Sequence, residues 1–157
     1  MTFNKVILDI ETTLTADKIW CIVCKHDDTF YQFKENNLHR FEEFIKQTEE
    51  VIGHNIIGFD IPVLNKFFGY DLFKNCKITD TLVLSRLLNP VIDGGHSLKN
   101  WGVKLGHNKI EFEQFDFFSE EMLKYCRNDV DLTQRLYNFL IKRIKDFGYS
   151  VELEHKV

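Results

Sequence analysis

The chain has almost no proline, no basic tail and no long apolar run. Two prolines and eight glycines among 157 residues leave no Pro-rich or Gly/Ser-rich tract that could serve as a linker. One domain over residues 1–157 is expected, a length at which about 68–70% of the unfolded surface is buried. No apolar stretch approaches the ~18 residues that span a bilayer, and the opening "MTFNKVILDIE" lacks a basic region leading into one. A cytoplasmic protein with no membrane partner follows as the expectation. Four cysteines in such a chain read as reduced thiols. Cys21 and Cys24 resemble half a zinc site, but they lie in the β-rich run "IWCIVCK", where residues three apart face opposite sides of a sheet. Buried packing is the better reading.

The net charge of −4 excludes the phosphate-driven grip of a basic nucleic-acid-binding module. It does not exclude a nuclease, because an active site that holds divalent cations brings its own positive charge.

What is present is a clear change of hydrophobic period along the chain. Residues 5–11 ("KVILDIE"), 19–25 ("IWCIVCK") and 29–34 ("TFYQFK") read as strands of a meander. "LHRFEEFIKQTEE" places Leu38, Phe41, Phe44 and Ile45 at helical spacing and leads to a strand in "EVIGHN", a β-α-β crossover. "FDIPVLNKFFG" reads as a helix with Asp60 at or near its N-cap, Pro62 in the first turn and Gly69 as a stop. A short strand is expected at "CKIT", then helices at "DTLVLSRLLNP", capped by Asp80, and at "GGHSLKNWGVKLG", ending near Gly106, with a mobile "NPVIDGG" loop between them. The last helix starts after Ser119, has Glu120 and Glu121 in its first turn, and runs to about Ile144. The order of elements predicts an α/β fold with early strands and later helices.

Three patches put carboxylates where packing does not ask for them. In "ILDIETT", Asp9 and Glu11 are two apart on a strand and so face the same way. Two like charges held close resist joint ionisation unless a cation or hydrogen-bond donors compensate them. In "HNIIGFD", an apolar strand ends in His54 and Asn55 and leads to Asp60; in "YCRND", Tyr125 and Asp129 are one helical turn apart. Each patch has a plain alternative. D-x-E is common by chance, Asp60 would serve as a cap with His54 and Asn55 satisfying loop backbone, and Tyr125 with Asp129 would be a surface pair.

Taken in order, the three patches resemble the motifs of the DEDD-superfamily 3′→5′ exonucleases, tyrosine subclass. "DTLVLSRLLNP" and "HSLKNWGVKLG" are further similar to the proofreading exonuclease domain of bacteriophage family A DNA polymerases, so the likeness runs from residue 5 to about 143. It implies a ribonuclease-H-like fold, a mixed central sheet of about five strands flanked by helices. It also implies that Asp9, Glu11, Asp60 and Asp129 hold two divalent cations, Mg²⁺ or Mn²⁺, a choice that all-oxygen ligands favour over zinc. Two such ions clamp an in-line displacement at phosphorus. Tyr125, a phenol with a pKa near 10, would orient the attacking water and not act as base. A histidine in its place would mark the sister subclass.

By the same resemblance, Thr12 and Leu14 would contact the end of the strand and Asn55 a phosphate or sugar; composition alone leaves Leu14 equally open as a core residue. Arg127 and Asp131 point away from the ligand face, and His96 and His107 show no metal-ligand spacing. Phe112, Phe115, Phe117 and Phe118, in "EFEQFDFF", read as a loop covering the core or as a docking edge for another protein.

The implied activity is hydrolysis of single-stranded DNA from its 3′ end to nucleoside monophosphates, as proofreading beside a separately encoded DNA polymerase or one removed from the chain. The start at Met1 and the untagged end "VELEHKV" favour a stand-alone protein, working in host cytoplasm if phage-encoded. A ribonuclease D-like exoribonuclease, and a non-catalytic nucleic-acid- or polymerase-binding module of the same fold, are the alternatives.

Overall fold

A computed structural model describes residues 2–147; Met1 and residues 148–157, which include the terminal "VELEHKV", lie outside the described residues. Strands β1 (Phe3–Thr12), β2 (Ile19–His26) and β3 (Thr29–Lys34) form the antiparallel meander. Helix α1 (Arg40–Lys46) then crosses over to β4 (Thr48–Gly53), which lies parallel to β1. Helix α2 (Ile61–Phe68) leads to β5 (Lys77–Asp80), parallel to β4. Three helices follow: α3 (Thr81–Leu88), α4 (Leu98–Leu105) and the 27-residue α5 (Glu120–Asp146). The result is an α/β fold with a mixed five-stranded sheet of order β3-β2-β1-β4-β5, flanked by helices.

The alternation of β1 and β2 splits the hydrophobic core in two. Leu8, Ile10, Ile22 and Cys24 face one side, where Phe41, Phe44 and Ile45 of α1 and Leu64 of α2 cover them. Ile7, Cys21 and Val23 face the other, against Leu84, Trp101 and the apolar stripe of α5. Cys21 and Cys24 are therefore on opposite faces, buried and free, with no shared metal possible. The same alternation puts Asp9 and Glu11, at odd positions like Ile7, on the α5 side.

Helix ends follow the side chains available. Ser97 and Ser119 each accept a backbone N–H, from Asn100 and Met122, and Gly106 closes α4 in the left-handed region at φ 72°. The first crossover departs from expectation: α1 stops at Lys46, and Thr48–Gly53 is strand. "QTEE" has helical propensity, but Thr48 and Glu50 pair with Phe3 and Lys5 of β1, and Glu50 is buried, accepting a bond from the Thr79 hydroxyl at 2.6 Å. Sheet pairing outweighs local propensity here. The "NPVIDGG" loop, expected to be mobile, is tied down. Asn100 Nδ2 donates to the carbonyls of Asp93 and Gly95 at 2.9 and 2.7 Å, and His96 Nε2 lies 3.1 Å from that of Pro90. Among the described residues no helix is long and apolar enough to cross a membrane.

Candidate active site

Three separate segments deliver carboxylates to one end of β1. Asp9 and Glu11 come from β1, where the pairing with β2 shifts register between Glu11 and Thr12. Asp60 comes from the junction after β4, and Asp129 from α5.

The β4–α2 junction is built around Asp80. Its carboxylate caps α3 by accepting from Leu82 N at 2.8 Å, and it also accepts from Asn55 N at 2.9 Å and Ile57 N at 3.0 Å. Asn55 takes the left-handed conformation, φ 58°, which asparagine tolerates better than most residues. A Cβ on Gly58 would stand 2.5 Å from Asn55 Oδ1, so the glycine leaves room for that side chain. From Ile56 to Asp60 the chain makes a π turn, a device common at functional sites. Asp60 consequently stands at the N-cap position of α2, as the sequence suggests, but does not cap the helix. Its backbone is already helical and its side chain makes no capping bond; the wider turn swings the carboxylate into the interior, where it is 4% exposed. His54 is fixed too, with Nδ1 2.8 Å from Thr81 Oγ1 and Nε2 2.9 Å from the carbonyl of His96. Burial pushes its pKa down to about 4, so the ring is neutral.

These segments enclose an open cleft of about 360 Å³. All eight residues singled out from the sequence line it: Asp9, Glu11, Asp60, Tyr125 and Asp129, together with Thr12, Leu14 and Asn55. Leu14 is 82% exposed, which rules out the core reading. The cleft also takes in Phe59, Phe115 and Lys109, which were not anticipated. Lys109 Nζ lies 2.9 Å from Tyr125 Oη and 3.3 Å from Asp129 Oδ2. Cys126 was missed as well: its thiol donates to Asp9 Oδ2 at 3.4 Å. Its position three residues before Asp129 on a helix was a usable signal. For Lys109 there was none, since its partners are 16 and 20 residues away and meet it only through tertiary packing.

Several other residues are accounted for elsewhere. Asp131 pairs with Lys25 at 2.8 Å, and the exposed Arg127 lies over the ring of Phe30 at 4.4 Å. Phe112 and Phe115 pack on Tyr125 with ring centroids at 5.5 and 6.2 Å, and Phe118 lies against the core while Phe117 is half exposed. The segment is thus a wall over the core and over Tyr125.

The electrostatics describe a site short of positive charge. Burial first, then the charge of Asp129, pushes Asp9 up to about 8. Glu11 is pushed up to about 11 by burial and then by Asp9 and Asp129. Asp60 is raised well above the carboxylate range by burial and by Asp9. Burial raises Asp129 only to about 6, because Lys109 offsets part of the cost. Asp129 Oδ1 is buried with no hydrogen-bond partner among the described residues. Such an atom is costly unless something compensates it.

The donor set fits a hard divalent cation. Ligand atoms of Asp9, Glu11 and Cys126 lie within 4.8 Å of one another, and Asp60 and Asp129 line the same cleft with the orphaned Oδ1 among them. Burial holds the Cys126 thiol protonated. That leaves carboxylate oxygens as the ligands, which suit Mg²⁺ or Mn²⁺ over a thiophilic metal.

Neither a family model nor a curated protein matches the chain. Solved structures do. Brucella melitensis NrnC with bound Mg²⁺ superposes with a TM-score of 0.72 at 23% identity, over 96% of this chain and 78% of that one. NrnC bound to pGG gives 0.74 at 22% identity with the same coverage. The Aedes aegypti Nibbler EXO domain gives 0.71 at 15% identity, over 95% of this chain and 83% of the other. The fold is ribonuclease-H-like. Within this ribonuclease-H-like fold the cleft sits where the central strand β1, the turn before α2 and the first turns of α5 converge.

Proposed function

We propose that the chain is a single-domain, metal-dependent 3′→5′ exonuclease that shortens single strands by one nucleoside monophosphate at a time. What supports this is the convergence of four carboxylates from three segments on one cleft beside Tyr125, with Asp129 Oδ1 buried and unpartnered among the described residues. Asp9, Glu11, Asp60 and Asp129 would hold two divalent cations, Mg²⁺ or Mn²⁺; NrnC, which shares the fold, was solved with bound Mg²⁺. When bound, such ions lower the pKa of a water and stabilise charge on the phosphate and on the leaving 3′ oxygen.

The chain's own residues position the reactants. Water oxygen attacks phosphorus, the P–O3′ bond breaks, the nucleotide leaves as a 5′-monophosphate and the shortened strand keeps a 3′ hydroxyl. Burial raises the pKa of Tyr125 above its ordinary value, so the phenol stays protonated and serves to orient the attacking water. Leu14, exposed at the cleft mouth, Thr12 and Asn55 would hold the terminal nucleotide.

The motif resemblance favours DNA 3′ ends as substrate, with a separately encoded DNA polymerase as partner. RNA is the second reading, favoured because NrnC binds pGG, a two-nucleotide strand. An assay with Mg²⁺, Mn²⁺ or EDTA on 3′- and 5′-labelled single strands of matched DNA and RNA tests cofactor, polarity and sugar together. Metal-dependent loss of the 3′ label first, abolished in Asp9→Ala with the fold kept, is the expected result. Faster trimming of RNA would overturn the DNA assignment, and Asp9→Ala activity equal to wild type would overturn the metal site.

A further inference from the structure

Resting on the exonuclease reading above, we infer that Lys109 is a positioning residue that aims the Tyr125 hydroxyl into the cleft and keeps it off Asp129.

Lys109 lies in the extended segment between α4 and α5, which is fastened on both sides of it. Asn128 Nδ2, on α5, donates to the carbonyl of Asn108 at 3.0 Å, and the Trp20 indole donates to that of Phe115 at 2.7 Å. The same segment supplies Phe112 and Phe115 against the Tyr125 ring. The ammonium also stands 4.9 Å from the centre of that ring. Lys109 and Tyr125 are thus held in one relative geometry from both elements.

An ammonium has three donors and no acceptor. At 2.9 Å the Tyr125 oxygen must therefore accept from Lys109, and the phenolic hydrogen is left to point elsewhere. Asp129, one helical turn from Tyr125 and so its neighbour on the same face of α5, is an available acceptor for that hydrogen. Lys109 occupies Asp129 Oδ2 at 3.3 Å, while Oδ1 has no partner among the described residues. A direct Tyr125–Asp129 bond would consume both the hydrogen meant for water and an oxygen meant for a cation. Lys109 prevents it by standing between the two groups as the donor to both.

The test is a double-mutant cycle in the full chain. Lys109→Met keeps the stem and removes the donors; Lys109→Arg keeps donors. With Mg²⁺, Lys109→Met should lower kcat about 10- to 100-fold, in the range of a displaced reacting group, with KM changed less than about twofold and Lys109→Arg recovering part of the loss. The Lys109→Met/Tyr125→Phe double variant should be no slower than Tyr125→Phe alone. In EDTA, the ¹³Cζ NMR signal of Tyr125 should shift in Lys109→Met while the thermal melt stays cooperative. Independent losses in the double variant, a raised KM with unchanged kcat, or an unmoved Tyr125 signal would each overturn the inference. Wild-type protein inactive with either metal would instead overturn the exonuclease reading, with the NMR comparison still reporting on the Lys109–Tyr125 contact.

Discussion

One carboxylate, Asp80, holds Asn55 in place: it accepts the backbone N–H of Asn55 at 2.9 Å with the same oxygen that caps α3, and that of Ile57 with the other. The whole turn that carries Asp60 into the cleft hangs on this side chain, although Asp80 itself does not line the cleft. Asp80→Ala should destabilise the protein by about 2–4 kcal/mol, a lost cap together with charged hydrogen bonds to buried donors. Urea unfolding measures it, and a change under about 0.5 kcal/mol would contradict the assignment.

Leu14 offers the converse case. At 82% exposed it contributes nothing to the core, so Leu14→Ala should leave stability within about 0.5 kcal/mol of wild type. If it grips the strand end, KM for single strands should rise several-fold in the same variant. Steady-state kinetics beside a thermal melt separate the two quantities, and a destabilised variant would return Leu14 to the core.

Removing the metal should make stability depend on pH in an unusual direction. Asp9 at about 8, Glu11 at about 11 and Asp129 at about 6 all lie above their unfolded values near 4. The folded state then binds more protons than the unfolded one, so the stability these groups contribute is complete below about pH 4 and is lost as pH rises. His54, held at about 4, acts oppositely, but only below its ordinary value near 6.5. From about pH 6.5 to 8 Asp9 and Glu11 act unopposed, the share of Asp129 having been lost by about pH 6. In EDTA the melting temperature should fall across that window, and added Mn²⁺ should raise it most at the alkaline end. A melting temperature that rises with pH in EDTA would refute the clustering.

Asp9→Asn should uncouple activity from stability. Above about pH 8, where metal-free Asp9 is ionised, the substitution removes one buried negative charge without changing shape, so there the metal-free variant should melt higher than metal-free wild type. Nucleotide release should drop by at least about 10³-fold, the scale of several kcal/mol of metal-borne stabilisation. Scanning calorimetry in EDTA and a labelled-strand assay read the two halves.

Legibility in the sequence followed the range of the interaction. Period-2 alternation put Asp9 and Glu11 on one face, and the caps at Asp80 and Ser119 were readable because a cap bonds within three residues. The end of α1 was not, because Thr48 and Glu50 answer to β1 across the crossover. Asp60 read as a cap because a polar residue before an apolar helix usually is one; the π turn that overrides this is set by Asp80, 20 residues on. Lys109 left no local trace, since an isolated lysine in "GHNKIEF" looks like any solvated charge until α5 packs beside it.

The spacing of the carboxylates along the chain has a consequence in time. Asp9 is synthesised 120 residues ahead of Asp129, and α5 must dock on β1 before they meet. Contacts of such sequence separation form late. A nascent chain on the ribosome therefore carries no complete set of the four carboxylates until α5 has emerged.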